Sequence, residues 1–146
     1  MPLSASSNDS PSEGRGSIRV TALPREGVRY LDHAREILRH VPVELDIYLD
    51  RKPVREAMGT AYLAVLGAIN QALLRRGVSK KELPRSVDAY RAALERHLSR
   101  NRKLMREFES LYDLLHLAGY YDGLIYNRKL VRHAIDAARR FVEKVA

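Results

Sequence analysis

The sequence contains no cysteine, which excludes disulfide bonds, thiolate nucleophiles and zinc sites built on cysteine. It also has no uninterrupted apolar run of about 18 residues, so we expect no transmembrane helix and no membrane partner. The N-terminus has neither a basic start nor an apolar stretch, and so does not resemble a secretory signal. These absences predict a cytoplasmic protein.

The motifs of several common enzyme classes are missing as well. The chain has no Gly-x-Ser-x-Gly elbow, no Gly-x-x-x-x-Gly-Lys phosphate loop and no His-Glu-x-x-His metal motif. No two of its histidines are four residues apart. His33 and His40 lie seven apart on one side of a predicted helix, which is weak evidence for a site without a carboxylate cluster. We therefore expect no metal site and no cofactor.

At 146 residues the chain is long enough for one domain with a substantial core. Its first 17 residues are rich in Ser, Gly, Pro and Asn and contain few apolar groups. Such a segment cannot bury enough surface to offset the entropy of ordering it. We predict a disordered tail over residues 1–17 and a single helical-bundle domain over residues 18–146.

Apolar residues recur every three or four positions over four stretches of the chain, which predicts amphipathic helices. The predicted helices cover residues 27–41, 53–76, 86–118 and 126–144. Gly77 is expected to end the second helix, and Ser86 to cap the start of the third. The third would be a rod of about 48 Å, with a break near Ser99 as the alternative. Residues 43–50 read as a loop. The predicted fold is all-α, an antiparallel bundle of four main helices.

The second helix is expected to lie at the centre of this bundle. Between Ala57 and Ile69 its only polar side-chain groups are the hydroxyls of Thr60 and Tyr62. A helix that is apolar all round is normally enclosed by other helices.

The formal net charge of +8 permits binding to RNA or to an acidic protein partner. The densest basic cluster falls on the predicted third helix, where Arg96, Arg100 and Lys103 would share one face and could follow a phosphate backbone. The alternative is a solvated helix face, balanced in part by the neighbouring glutamates.

Tyrosines and one aspartate concentrate between the last two predicted helices and form a candidate pocket or subunit interface, since tyrosine is enriched at interfaces. The residues are Tyr112, Tyr120, Tyr121, Asp122 and Tyr126. The alternative is that these rings close the core over the corner between the two helices.

Three segments together resemble the HEPN superfamily, and most of all a bacterial branch of short helical proteins of unknown function. They are Tyr30-Leu-Asp-His-Ala-Arg-Glu-Ile-Leu, the apolar segment that begins at Ala61, and Tyr120-Tyr-Asp-Gly followed by Ala134-Ile-Asp-Ala-Ala-Arg-Arg-Phe-Val. The resemblance implies a bundle of four or five helices that is often dimeric. Some members of the superfamily are ribonucleases or toxin components, whereas others bind nucleotides, RNA or protein without catalysis.

The catalytic signature of the superfamily is an arginine, four to six residues, and then a histidine. Arg128 and His133 fit this spacing, but Arg35 with His40 and Arg91 with His97 fit it too. If the chain is a ribonuclease, the resemblance implies that His133 acts as acid or base and that Arg128 stabilises phosphate charge.

We therefore predict a non-catalytic HEPN-like binding or interaction module that forms a homodimer, rather than an enzyme. Two alternatives remain open. One is a metal-independent ribonuclease or toxin of a toxin–antitoxin pair. The other is an accessory protein that binds RNA without cleaving it.

Overall fold

A computed structural model describes residues 26–98 and 102–145. The predicted tail, residues 1–17, lies outside the described residues, as does Arg100. Most of the described chain is helical, which confirms the all-α class. Five helices are present in it: α1 (residues 26–39), α2 (Arg51–Arg75), α3 (Val87–Ala93), α4 (Arg102–Leu111) and α5 (Arg128–Val145). Wider π-helical turns continue α3 over Leu94–Leu98 and α4 over Tyr112–Tyr121, and a 3₁₀ turn covers Lys80–Glu82.

The central helix is α2, as its composition predicts. The Asp50 side chain caps its start by accepting a hydrogen bond from the Lys52 N–H at 3.2 Å. Gly77 ends it with a φ of +93°, a conformation that glycine adopts without strain. α2 packs mainly against α5 and the π-helical part of α4. One face of α2 is nevertheless open, because Leu63 is 51% exposed.

α2 is long and apolar enough to cross a membrane by length and composition alone. Most of its large apolar side chains, however, pack into the core of the bundle. The buried ones include Val54, Met58, Val65, Ile69 and Leu73. Burial among other helices accounts for the hydropathy of α2.

The prediction of a single rod over residues 86–118 is wrong. The Arg91 Nε donates to Glu109 Oε2 at 2.6 Å, and the rings of Tyr90 and Phe108 stack with centroids 6.4 Å apart. Residues 18 positions apart in a straight helix would be about 27 Å apart, so α3 and α4 cannot form one straight helix and instead pack side by side. The bundle therefore has five helices instead of four. The alternative of a break near Ser99 agrees with two separate helices, although Ser99 itself lies outside the described residues.

The segment predicted as a loop over residues 43–50 contains a short antiparallel hairpin. Its strands are β1 (Val43–Glu44) and β2 (Ile47–Tyr48). The two loop residues, Leu45 and Asp46, have φ values of 52° and 64°, which is typical of a type I′ turn. The hairpin docks on the start of α5, where the Arg128 N–H donates to the Asp46 carbonyl at 2.8 Å.

α1 and α5 lie antiparallel and are joined by two ion pairs. Arg35 contacts Asp136, and Arg139 contacts Asp32, each at 3.1 Å. Asn127 caps the start of α5, since its Oδ1 accepts from the N–H groups of the second and third helical residues. These contacts fix α5 between α1 and the hairpin.

Candidate functional site

Four aromatic rings form a continuous stack between α2 and α4. His116 is at its centre, with ring centroids 4.9 Å from Tyr62, 5.4 Å from Tyr112 and 6.0 Å from Tyr120. The Tyr112 and Tyr120 rings are within 25° and 17° of parallel to the imidazole. We call Tyr62, Tyr112, His116 and Tyr120 the aromatic stack.

Three of these rings lie on one face of the π-helical part of α4. Tyr112, His116 and Tyr120 are four residues apart along the chain, and the Asp122 N–H donates to the Leu117 carbonyl five residues back at 2.8 Å. A π-helical turn closes at the fifth residue and so holds more residues than an α-helical turn. Side chains four apart lie within about 40° of one another around the axis of an α-helix and within a similar angle in this wider turn, so the three rings share one face.

Two glycines allow α4 to approach α2 closely at this point. A Cβ on Gly59 would lie 2.8 Å from the Tyr120 ring, and a Cβ on Gly119 would lie 2.7 Å from Met58 Cε. The ring of Tyr120 thus rests directly on the backbone of α2. A larger residue at either glycine would push the stack away from the central helix.

Arg55 closes the end of the π-helical segment. Its Nε and Nη2 donate to the carbonyls of Tyr120 and Tyr121, both at 2.8 Å. Carbonyls at a helix C-terminus lack partners within the helix, so a guanidinium group there satisfies them and opposes the negative end of the dipole. Gly123, with a φ of 64°, leaves room for this side chain, because a Cβ there would lie 2.9 Å from Arg55 Cδ.

The phenol of Tyr62 keeps its proton in the folded protein. Burial raises the pKa of Tyr62 from its ordinary value of 10.0 to about 12, and the neighbouring Tyr112 acts in the same direction. Tyr62 therefore stays neutral at physiological pH, so the stack presents a phenol and not a phenolate.

A groove of about 610 Å³ lies beside the aromatic stack, between α1, α2 and the end of α4. We call it the aromatic groove. Leu63 is 51% and Tyr120 is 45% exposed, so apolar surface faces solvent here. None of the described residues that line the groove is a lysine or an arginine. They are His33, Ile37, Glu56, Gly59, Thr60, Tyr62, Leu63, Leu66, His116 and Tyr120.

A second groove, of about 420 Å³, lies between α1, the hairpin and α5. We call it the arginine groove. Arg128 Nη2 contacts Asp46 Oδ1 at 2.6 Å, and Arg132 has no hydrogen bond or ion pair among the described residues. Its lining residues are Arg35, Leu38, Arg39, Val41, Val43, Tyr48, Arg128, Arg132, Ile135 and Asp136. Burial raises the pKa of Tyr48 at the floor, while the charges of Arg128 and Arg132 act against that rise.

Comparison with known proteins decides the family of the chain. The family model for a domain of unknown function, DUF5618, matches residues 24–146. The chain belongs to the DUF5618 family. It is also similar to the solved structure of a protein of unknown function from Dyadobacter fermentans, at 30% identity and a TM-score of 0.72. That match covers 86% of this chain and 95% of the other. A search of curated proteins found no match.

Neither match to this DUF5618 chain concerns the HEPN superfamily, so that resemblance stays a prediction.

The five candidate residues of the tyrosine-rich corner lie in different places. Tyr112 and Tyr120 belong to the aromatic stack, whereas Tyr121 is 67% exposed and Asp122 lies at the end of the helix. The Tyr126 ring packs against the guanidinium of Arg51, with 4.1 Å between that group and the ring centroid.

Arg128 and His133 do not share a site within the chain. Arg128 lines the arginine groove, whereas His133 is exposed and is not part of that lining. His133 has no hydrogen bond or ion pair with any residue of 26–98 or 102–145. Of the two other pairs with this spacing, His40 bonds to Glu36 at 3.0 Å, and Arg91 is held by Glu109.

The basic residues of the predicted third helix do not form one continuous face, because that helix is two helices. Arg96 follows α3 and lines a groove with His97 and Arg76. Lys103 lies on α4 and lines another groove with Arg106 and Arg140. Nucleic-acid binding by these residues stays a prediction.

Within residues 26–98 and 102–145, no group of three or more His, Asp or Glu side chains is arranged to hold a metal ion. Tyr62 and His116 both belong to the aromatic stack but were not predicted as site residues. The four-residue spacing of Tyr112, His116 and Tyr120 was a visible signal for His116. Tyr62 carried no such signal, because its place depends on how α2 and α4 pack.

Proposed function

We propose that the chain is a HEPN-like, non-catalytic interaction module that forms a homodimer through the aromatic groove. The observation that carries this proposal is the exposure of Leu63 in the middle of the central helix. The central helix of a closed bundle would bury a leucine at this position, since burying one contributes about 1.5–3 kcal/mol. A partner that covers the groove would recover this energy.

Charge favours a second copy of the chain as that partner. With a net charge of +8, two copies repel each other, and contact is least opposed on a surface without cations. The aromatic groove has no lysine or arginine, whereas three other grooves on the described surface each contain at least two arginines. Among the described residues that line it, Glu56 is the one carboxylate.

The layout of α2 also suits a two-fold interface. Leu63 is the middle residue of Arg51–Arg75, and Gly59 and Gly67 lie four positions to either side. An axis through Leu63 would cross two copies of α2 antiparallel, with Gly67 of one copy near the Tyr120 ring that covers Gly59 of the other. A Cβ on Gly67 would meet nothing within 4 Å, so a second helix backbone has room to approach.

Light scattering coupled to size-exclusion chromatography tests this proposal on the full chain. We expect the wild type to have twice the mass of one chain, and Leu63→Glu to have the mass of a monomer. Glutamate has a helix propensity close to that of leucine, so the half-exposed site should tolerate it. Circular dichroism should give similar helicity for both proteins.

Leu130→Glu is the matched control, because Leu130 is a helical leucine that is 59% exposed on α5, outside the aromatic groove. It should leave the dimer intact. A wild type that stays monomeric at high concentration would refute the proposal, and so would a Leu63→Glu variant that remains dimeric. The ribonuclease and RNA-binding alternatives stay predictions, and loss of the dimer tests neither.

A further inference from the structure

We propose that the arginine groove binds a small phosphate monoester that carries an aromatic or other apolar group. The groove combines guanidinium groups with an apolar floor that includes Leu38, Tyr48 and Ile135. It lies on a different face of α1 from the aromatic groove, since Arg35 and Arg39 line one and His33 and Ile37 line the other. A result for the arginine groove therefore does not decide the proposal for the aromatic groove, and the reverse is also true.

Three of the four arginines in this groove are held in position by carboxylates. Arg35 contacts Asp136 at 3.1 Å, Arg39 contacts Glu36 at 2.9 Å, and Arg128 contacts Asp46 at 2.6 Å. These pairs reduce the freedom of the arginine side chains before any ligand binds, and so lower the entropy lost on binding.

Arg132 gives the groove its excess positive charge. It has no hydrogen-bond or ion-pair partner among residues 26–98 and 102–145, yet it lines the same concave surface as the three paired arginines. A guanidinium group presents its donors as a planar fork, which matches the oxygens of a phosphate in a bidentate contact. Arg132 is thus the residue that a phosphate would engage first.

The floor of the groove decides against a bare anion or a nucleic-acid backbone. Half of the lining residues are apolar or aromatic, and Tyr48 is buried, with 7% of the residue exposed. A phosphate alone would leave this surface uncovered, and a polynucleotide backbone needs an extended track of cations instead of a short groove with an apolar floor. The volume of about 420 Å³ lies within the range of about 300–1,000 Å³ that small-molecule sites occupy.

A titration of the ¹⁵N-labelled full chain with phenyl phosphate, followed by amide chemical shifts, tests the proposal. We expect saturable shifts confined to the end of α1, the hairpin and the first half of α5. Inorganic phosphate should bind about tenfold more weakly, because it cannot cover the apolar floor. Arg132→Ala should weaken the binding of phenyl phosphate at least about tenfold.

Arg140→Ala is the matched control, since Arg140 is an exposed arginine of α5 outside this groove; it should change the affinity less than about twofold. Arg132→Lys keeps the charge but removes the fork, and should give an intermediate loss. Non-saturable shifts, or equal losses in Arg132→Ala and Arg140→Ala, would overturn the proposal. A short single-stranded RNA that displaces phenyl phosphate at lower concentration would overturn it too, in favour of a polynucleotide.

Discussion

Two helical glycines of this chain should respond in opposite directions to the same substitution. Gly119 lies in the π-helical segment at the contact with α2, and Gly67 lies on the open face of α2. A Cβ on Gly119 would lie 2.7 and 2.9 Å from two carbons of Met58 and 2.9 Å from the Leu114 carbonyl oxygen. A Cβ on Gly67 would have no neighbour within 4 Å. We predict that Gly119→Ala destabilises the fold and that Gly67→Ala stabilises it.

The magnitude follows from which atoms can move. The Met58 Cβ is fixed to the backbone of α2, so α4 and α2 must separate by several tenths of an ångström. The Leu114 oxygen is backbone of the segment that contains Gly119, so that segment must deform as well. Overpacking of this kind costs about 1–3 kcal/mol, and the higher helix propensity of alanine offsets up to about 1 kcal/mol. The net loss for Gly119→Ala is therefore about 1–2 kcal/mol. Gly67→Ala keeps the propensity gain of about 0.5–1 kcal/mol.

Urea denaturation followed by far-ultraviolet circular dichroism measures both changes. The protein should be diluted until it is monomeric, because dimerisation would add to the apparent stability. A Gly119→Ala variant as stable as the wild type would refute the close approach of α4 and α2. A Gly67→Ala variant that is less stable than the wild type would show that the open face of α2 is covered within the monomer.

Two further predictions concern the aromatic stack. The pKa of Tyr62 is about 12 in the folded protein, compared with an ordinary value of 10.0. The contribution of neutral Tyr62 to the free energy of unfolding is therefore fully present below pH 10 and is lost as the pH rises towards 12. The loss is about 2–3 kcal/mol. In Tyr62→Phe, the free energy of unfolding should depend less on pH between pH 10 and 12. A variant with the same pH dependence as the wild type would contradict the raised pKa. Arg55→Met should lower the free energy of unfolding by about 1–2 kcal/mol, because it leaves the Tyr120 and Tyr121 carbonyls uncapped. Lys52→Met, which removes an exposed charge near the start of the same helix, should have no effect, and an equal loss in both variants would argue against the cap.

Much of the fold could be predicted from local chemistry. The Ser86 hydroxyl accepts from the Ala89 N–H at 3.1 Å and Gly77 has a positive φ, as the sequence indicated. The hairpin was missed because its turn residues, Leu45 and Asp46, lack the Asn-Gly or Asp-Gly pattern that marks a type I′ turn. Leu45 holds a φ of 52° although it has a side chain, so the contacts of the hairpin with α5 must stabilise a conformation that its sequence does not favour.

The two grooves differ in how far sequence could have found them. Once α5 starts at Arg128, five residues of α-helix turn through about 500°, which separates His133 from Arg128 by about 140° around the axis. The same arithmetic sets Arg132, four residues on, within about 40° of Arg128, so the helical period favours Arg132 as the neighbour of Arg128. The apolar floor beneath these arginines could not be predicted from the helical period, because Tyr48 is placed there by the hairpin, which was not predicted. The spacing signature therefore selects Arg128 and His133, which α5 places on different sides of its axis. The arginine groove depends instead on the pairing of β1 with β2, for which the sequence carries no local signal.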